Sequence, residues 1–125
     1  MRRNKYNSRQ ITAIDGSRFD SQREYWRWCQ LLVYLRAGKI QDLKRQVKFE
    51  LIPAQYETFE RYSKTGRRLK DGSRCKEKAV SYVADFTYRI GEELVVEDVK
   101  GVRTETYILK RKLMLYIHGI EVKEV

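Results

Sequence analysis

The sequence lacks the features of a zinc-bound, disulfide-bonded or membrane-spanning protein. Its two cysteines, Cys29 and Cys75, stand far apart without a CxxC motif, and the chain has one histidine. Neither a zinc site nor a disulfide framework is indicated by so few ligands at such spacing. No apolar run approaches the ~18 residues that suggest a membrane span, and no signal peptide is evident. We therefore expect a soluble cytoplasmic protein with reduced thiols.

Acidic residues are scarce relative to basic ones. The 125 residues include 27 Lys and Arg against 17 Asp and Glu, which gives a formal net charge of +10. Such an excess favours polyanionic partners, and we expect DNA or another nucleic acid. Acidic membranes are a weaker alternative, because no basic helix has a clean apolar face; solubility alone is another. The length suits a single domain over residues 1–125.

The apolar pattern predicts an α/β fold with a mixed sheet flanked by helices. Intervals of three and four indicate a helix over residues 21–38, ending at Gly38, and a second over about 104–118, followed by Gly119. Alternation predicts strands over residues 39–52, closed by Pro53, and within 80–100, and a short last strand over 119–125. The order αβββαβ implies a parallel crossover into that strand. Residues 1–20 are predicted to be a basic arm or small hairpin, and residues 54–78 a basic loop or hairpin insertion.

The pattern also predicts which side chains share a face. On the first arm of the central hairpin one face should carry Val80, Tyr82, Ala84, Phe86 and Tyr88, and on the second arm Leu94, Val96, Asp98 and Lys100. The buried stripes of the helices should be Tyr25, Trp28, Leu32 and Leu35, and then Leu109, Leu113, Tyr116 and Ile117.

Two aspartates face each other in this hairpin. With the turn at Gly91-Glu92, residue 90 faces residue 93, so Asp85 lies opposite Asp98. Opposed like charges destabilise a sheet, and a divalent cation such as Mg²⁺ or Mn²⁺ would offset the repulsion through hard oxygen ligands. Lys100 projects from the same face and could position a water or stabilise charge on a phosphate. The alternative is a solvated surface with no site.

Glu24 has two interpretations. Residues 21–24 match the Ser-x-x-Glu capping box, in which the glutamate only satisfies the amide of Ser21. The same carboxylate lies in the first turn of the helix and could reach the hairpin acids if the helix packs across the sheet.

Several short segments of the sequence, taken together, resemble those of the PD-(D/E)XK nuclease superfamily. The segments "FDSQRE", "ADF" and "VVEDVKG", with "KYNSRQ" upstream, are similar to a family of small, phage-type endonucleases, and more broadly to Holliday-junction resolvases and transposon-end nucleases. Ala84 stands where the superfamily name has Pro, and Asp98 where Glu is frequent, beside Glu97. A β-bulge would exchange the roles of Asp98 and Glu97.

The resemblance implies a restriction-endonuclease-like core and Mg²⁺-dependent hydrolysis of DNA, with Mn²⁺ able to substitute. It implies metal ligation by Asp85, Asp98 and Glu24, catalytic roles for those residues and Lys100, and a bacterial or phage-infected cell as the setting. Structure-selective cleavage of branched or recombination intermediates is one form of this activity.

Cations outside the hairpin are candidates for DNA binding through phosphates. Lys110 could face the scissile phosphate from the last helix, or solvent. The remaining candidates lie in the basic insertion: Arg61, Lys64, Arg67, Arg68, Lys70, Arg74, Lys76 and Lys78.

Two further hypotheses remain open for the whole chain. One is a catalytically silent nucleic-acid-binding module that keeps the nuclease fold. The other is a nuclease subunit active only within a larger recombination or replication complex, and a homodimer is compatible with either.

Overall fold

A computed structural model describes residues 10–125, and the beginning of the predicted N-terminal arm lies outside them. The chain is mixed α/β, with helices α1 (Gln22–Arg36) and α2 (Glu105–His118). The strands are β1 (Ile11–Thr12), β2 (Arg18–Phe19), β3 (Gln41–Ile52), β4 (Gln55–Tyr62), β5 (Arg68–Glu77), β6 (Val80–Ile90), β7 (Glu93–Asp98) and β8 (Lys123–Glu124). No helix in this part of the chain is long and apolar enough to cross a membrane.

The central sheet has four strands in the order β3-β6-β7-β8. The first three are antiparallel neighbours, and β8 pairs parallel to β7. The predicted order of helix, three strands, helix and strand is therefore confirmed within this sheet and its two helices. Of the predicted N-terminal arm, residues 11–19 form a small antiparallel hairpin.

Local signals explain where both helices begin and end. The hydroxyls of Ser21 and Thr104 each accept a hydrogen bond from the amide three residues on, which satisfies a free N–H of the first turn. At the end of α2, Gly119 has a φ of 67°, a left-handed conformation that ends helices readily when no Cβ is present.

Within the described part of the chain, the core consists of two separate apolar clusters. One joins Tyr82, Ala84 and Val96 of the sheet to Tyr107 and Met114 of α2. The other joins Phe86 and Tyr88 to Leu31 of α1 and to Ile40, with Trp28 packed against it. The prediction that Tyr82, Ala84, Phe86 and Tyr88 share one face is therefore wrong.

Strands β3 and β6 change face at the same point. Residues two apart on a regular strand share a face, yet Ala84 and Phe86 belong to different clusters. The pairing Arg45↔Phe86 is followed by Val47↔Ala84, and between them Gln46 has a φ of 52°. A left-handed residue there reverses the side-chain alternation. The reversal lies at Gln46 and Asp85, beside the cleft described below.

The predicted basic insertion is a hairpin rather than a loop. Strands β4 and β5 pair with each other antiparallel and form a sheet of their own. We call residues 54–78 the arm.

Candidate functional site

The predicted acids and the predicted lysine line one cleft of about 440 Å³. The cleft lies between the first turn of α1, the end of β7, and the point at which β3 and β6 change face. Its charged and amide-bearing walls are Asp20, Arg23, Glu24, Gln46, Asp85, Asp98 and Lys100.

The register of the β6–β7 hairpin brings Asp85 to this cleft as predicted. Ile90 pairs with Glu93 and Phe86 with Glu97, so the next position on each strand is Asp85 and Asp98. Regular pairing stops there, and the amide of Val99 donates to Oδ2 of Asp85 at 2.8 Å. Burial, together with the neighbouring charges of Asp98 and Glu24, raises the pKa of Asp85 to about 8.

Asp98 is 4% exposed and is held from two directions. The hydroxyl of Tyr82 donates to its Oδ2 at 2.5 Å, and Nζ of Lys100 lies 2.9 Å from its Oδ1. Burial and the hydrogen bond to Asp98 raise the pKa of Tyr82, so this phenol remains a donor. The ammonium of Lys100 also lies 3.9 Å from the ring centroid of Tyr107 on α2. Lys100 lies after the end of β7, and its side chain meets that of Asp98 in the cleft.

The carboxylate of Glu24 points into the cleft. Ser21 accepts from the amide of Glu24 at 3.1 Å, which is one half of a capping box. The other half is not formed, because Oε1 of Glu24 accepts from Nε2 of Gln46 at 3.2 Å and lies 3.9 Å from a guanidinium nitrogen of Arg45. Burial and the charge of Asp20 raise the pKa of Glu24. The helix cap is thus supplied by Ser21, which leaves the Glu24 carboxylate available to the cleft.

Glu97 is engaged on the other face of β7. Its side chain is fully buried and accepts from Arg27 at 2.8 and 2.6 Å and from the hydroxyl of Tyr88. A bidentate pair of this kind is strong and directional. The structure therefore places Asp98, rather than Glu97, in the cleft.

The described side chains do not form a ready metal cage. Among residues 10–125, no group of three or more His, Cys, Asp and Glu side chains is arranged to hold a metal ion. The donor set nevertheless suits a hard cation, because four carboxyl groups line one cleft. Burial, together with the charges of Asp98 and Glu24, raises the pKa of Asp85. The cleft brings the carboxyl groups of Asp85 and Asp98 together with the side chain of Lys100.

The structure does not bring every predicted residue to the cleft. Lys110 is half-buried on α2 and is not among the residues that line the cleft. The eight cations between Arg61 and Lys78 lie on the exposed arm.

Three residues at the site were missed as site residues by the sequence reasoning. Gln46, which had no assigned role, binds Glu24; Tyr82 binds Asp98; and Arg23 donates to the carbonyl of Lys100 at 3.1 Å. Their contacts span distant parts of the chain, so local periodicity does not indicate them. For Tyr82 the signal was present, since it lies on the strand that carries Asp85.

Comparison with known proteins identifies one family. No curated protein and no solved structure matches the chain. A family model described as "Protein of unknown function (DUF1064)" matches residues 3–124, and the chain belongs to this family.

Proposed function

We propose that this protein is a metal-dependent DNA endonuclease of the PD-(D/E)XK type, which hydrolyses phosphodiester bonds in the acidic cleft. The observation that carries the proposal is the meeting of Glu24, Asp85, Asp98 and Lys100 in one cleft. These residues come from α1, β6, the end of β7 and the turn after it. The order α1, β3, β6, β7, α2, β8 also supports a restriction-endonuclease-like core.

The cleft residues would hold a divalent cation through carboxylate oxygens. Asp85 and Asp98 are the proposed ligands of Mg²⁺, with Mn²⁺ as a substitute, and Glu24 is a further ligand, direct or through water. A bound cation supplies an acidified water and neutralises charge on the phosphate. The charge of the cation also favours ionised Asp85, which burial and the neighbouring carboxylates oppose.

Lys100 is the proposed cationic group beside the phosphate. Its Nζ lies 2.9 Å from Oδ1 of Asp98 and rests against the Tyr107 ring, so its position at the cleft wall is fixed by two contacts. An ammonium there would stabilise negative charge that develops on a phosphate oxygen. Ala84 stands where the superfamily name has Pro. Its side chain is buried in the core and carries no functional group that could take part in the reaction.

DNA as substrate is supported by the charge of the chain. The net charge of +10 and the cationic arm would attract a polyanion to a cleft that is itself acidic. A divalent cation would reconcile the basic surface with the acidic cleft, because it lets a phosphate approach carboxylates that would otherwise repel it.

A cleavage assay tests the proposal. Supercoiled, linear, flapped and four-way-junction DNA are each incubated with the protein in Mg²⁺, Mn²⁺ or EDTA. We expect cleavage with either metal and none in EDTA. A preference for flapped or junction DNA would identify structure-selective cleavage of branched intermediates.

One observation favours a second candidate, a catalytically silent nucleic-acid-binding module. Within residues 10–125 no metal-binding group is preformed, and Asp98 is already paired with Lys100. On this alternative, DNA binds in EDTA as well as in Mg²⁺ and no substrate is cut. The same assay therefore separates the two functions.

A further inference from the structure

The arm is a two-stranded ribbon separate from the central sheet. Among the described residues, strands β4 and β5 pair only with each other. They lie between Ile52 and Val80, which are themselves paired across β3 and β6. The eight residues of β4 extend about 26 Å at ~3.3 Å per residue. The arm therefore projects from the core as an insertion between β3 and β6, and these two strands could be joined by a short turn without it.

The arm buries almost nothing against the rest of residues 10–125. From Gln55 to Tyr62 and from Arg68 to Glu77, every residue is exposed or half-exposed. An isolated two-stranded hairpin is marginally stable in water. A ribbon left in this state is a candidate for contact with a partner.

The ribbon is nonetheless built to keep a defined shape. Phe59 lies opposite Gly72, and a Cβ at Gly72 would clash with the Phe59 ring. The ring therefore covers the glycine backbone, and the guanidinium of Arg74 lies 4.8 Å from the ring centroid. This packing stiffens the ribbon without support from the core.

The charge of the arm matches a polyanion. Residues 54–78 carry eight Lys and Arg against four Asp and Glu. Within the described chain, two of these cations are paired, Arg68 with Asp71 at 2.9 Å and Arg74 with Glu57 at 2.5 Å. The other six make no ion pair inside residues 10–125, including Lys64 and Arg67 at the tip.

We propose that the arm enters the major groove of B-form duplex DNA. That groove is about 12 Å wide and admits a two-stranded ribbon. The major groove of A-form RNA is deep and narrow and does not. The unpaired cations would contact the phosphates on either side, while the exposed rings of Tyr56 and Tyr62, 66% and 55% exposed, would meet base edges. This inference rests on the proposed nucleic-acid partner. It adds which element of the protein contacts the DNA and which groove that element enters.

The register at the base of the arm permits a clean deletion. Replacing residues 53–79 with Asn-Gly joins the paired residues Ile52 and Val80 through a two-residue hairpin turn. Binding of fluorescent duplex DNA, duplex RNA and single-stranded DNA is measured by anisotropy in EDTA, so that no cleavage intervenes. We expect the wild type to bind duplex DNA about tenfold or more tighter than duplex RNA. The deletion should remove that preference. Equal binding to both duplexes, tighter binding to the single strand, or a folded deletion variant that retains the preference would overturn the proposal.

Groove-specific interference keeps the test decisive if the deletion variant fails to fold. Methylation of guanine N7, which lies in the major groove, should weaken wild-type binding, whereas a minor-groove ligand should leave it unchanged. The reverse result would overturn the proposal. If interference occurs but DNA is never cut, the groove inference stands and the nuclease proposal fails. If DNA is cut and N7 methylation has no effect, the nuclease proposal stands and this inference fails.

Discussion

Asp85 and Asp98 are the residues on which the proposed chemistry depends. We expect Asp85→Asn and Asp98→Asn each to lower the rate of Mg²⁺-dependent cleavage at least about a hundredfold, because each removes a charged oxygen ligand. DNA binding in EDTA should change little, since the cationic arm is untouched. Cleavage rate and anisotropy on the same DNA provide the two measurements, and wild-type cleavage by both variants would refute the assigned site.

Substitutions at Glu24 and at Ser21 distinguish a role in metal binding from a role in helix capping. Glu24→Gln keeps the shape of the side chain but removes a charge from the cleft, so cleavage should fall steeply while Tm changes little. Ser21→Ala removes the N-cap hydrogen bond at 3.1 Å and should cost about 0.5–2 kcal/mol of stability with most activity retained. Full cleavage by Glu24→Gln would exclude Glu24 as a ligand and reduce the site to Asp85, Asp98 and Lys100.

The raised pKa of Asp85 makes the stability of the metal-free protein depend on pH. The folded-state pKa of about 8 exceeds the ordinary value of 3.8, so the fold favours the protonated carboxyl. Its contribution to stability is fully present below pH 3.8 and is lost as the pH rises through 8. Asp85→Asn should therefore raise Tm in EDTA, by a margin that grows across this range and then levels off. A pH-independent margin would show that Asp85 does not titrate as inferred.

At the scale of elements, the tip of the arm offers a matched test of phosphate contact. Replacing Lys64 and Arg67 by Ala should weaken binding to all DNA sequences alike and reduce the slope of log K against log salt by up to about 1.8, at ~0.9 per lost contact. The control replaces Arg36 and Lys39, two exposed cations near the other end of α1, and should leave the slope unchanged. Equal effects of the two pairs would show that the arm has no special role.

The strands and helices themselves were largely predictable from the sequence. Apolar periodicity and capping residues placed α1, α2 and β3 close to their observed bounds, because these signals are local. The register of β6 and β7 followed from the turn at Gly91, which has a φ of 62°. The order of elements and the juxtaposition of Asp85 with Asp98 could therefore be predicted from signals between residues that are close in sequence.

The buried faces were less predictable. On α2 the buried residues are Tyr107 and Met114, whereas Leu109 and Tyr116 of the predicted stripe are 58% and 85% exposed. The face switch at Gln46 was also missed, because a left-handed glutamine carries no sequence signal of the kind that glycine gives. Both errors concern how one element lies against another, which depends on distant contacts.

For the molecule as a whole, the distribution of charge is the main functional feature. A strongly basic protein concentrates four carboxyl groups in one cleft, and the residues of the cationic arm are not among those that line it. The surface favours association with a polyanion, while the cleft resists a phosphate unless a cation is bound. The proposed DNA binding and the proposed chemistry therefore depend on different parts of the molecule, and we expect separate substitutions to abolish each.

Conversion of supercoiled plasmid DNA to open-circular or linear forms tests the central claim most directly. Wild type and Asp98→Asn are purified side by side and followed over time in Mg²⁺, with EDTA as the control. We predict conversion by the wild type in Mg²⁺ only, with the variant reduced at least about a hundredfold. Conversion that persists in EDTA, or at equal rates in the two proteins, would contradict a metal-dependent nuclease site at Asp98.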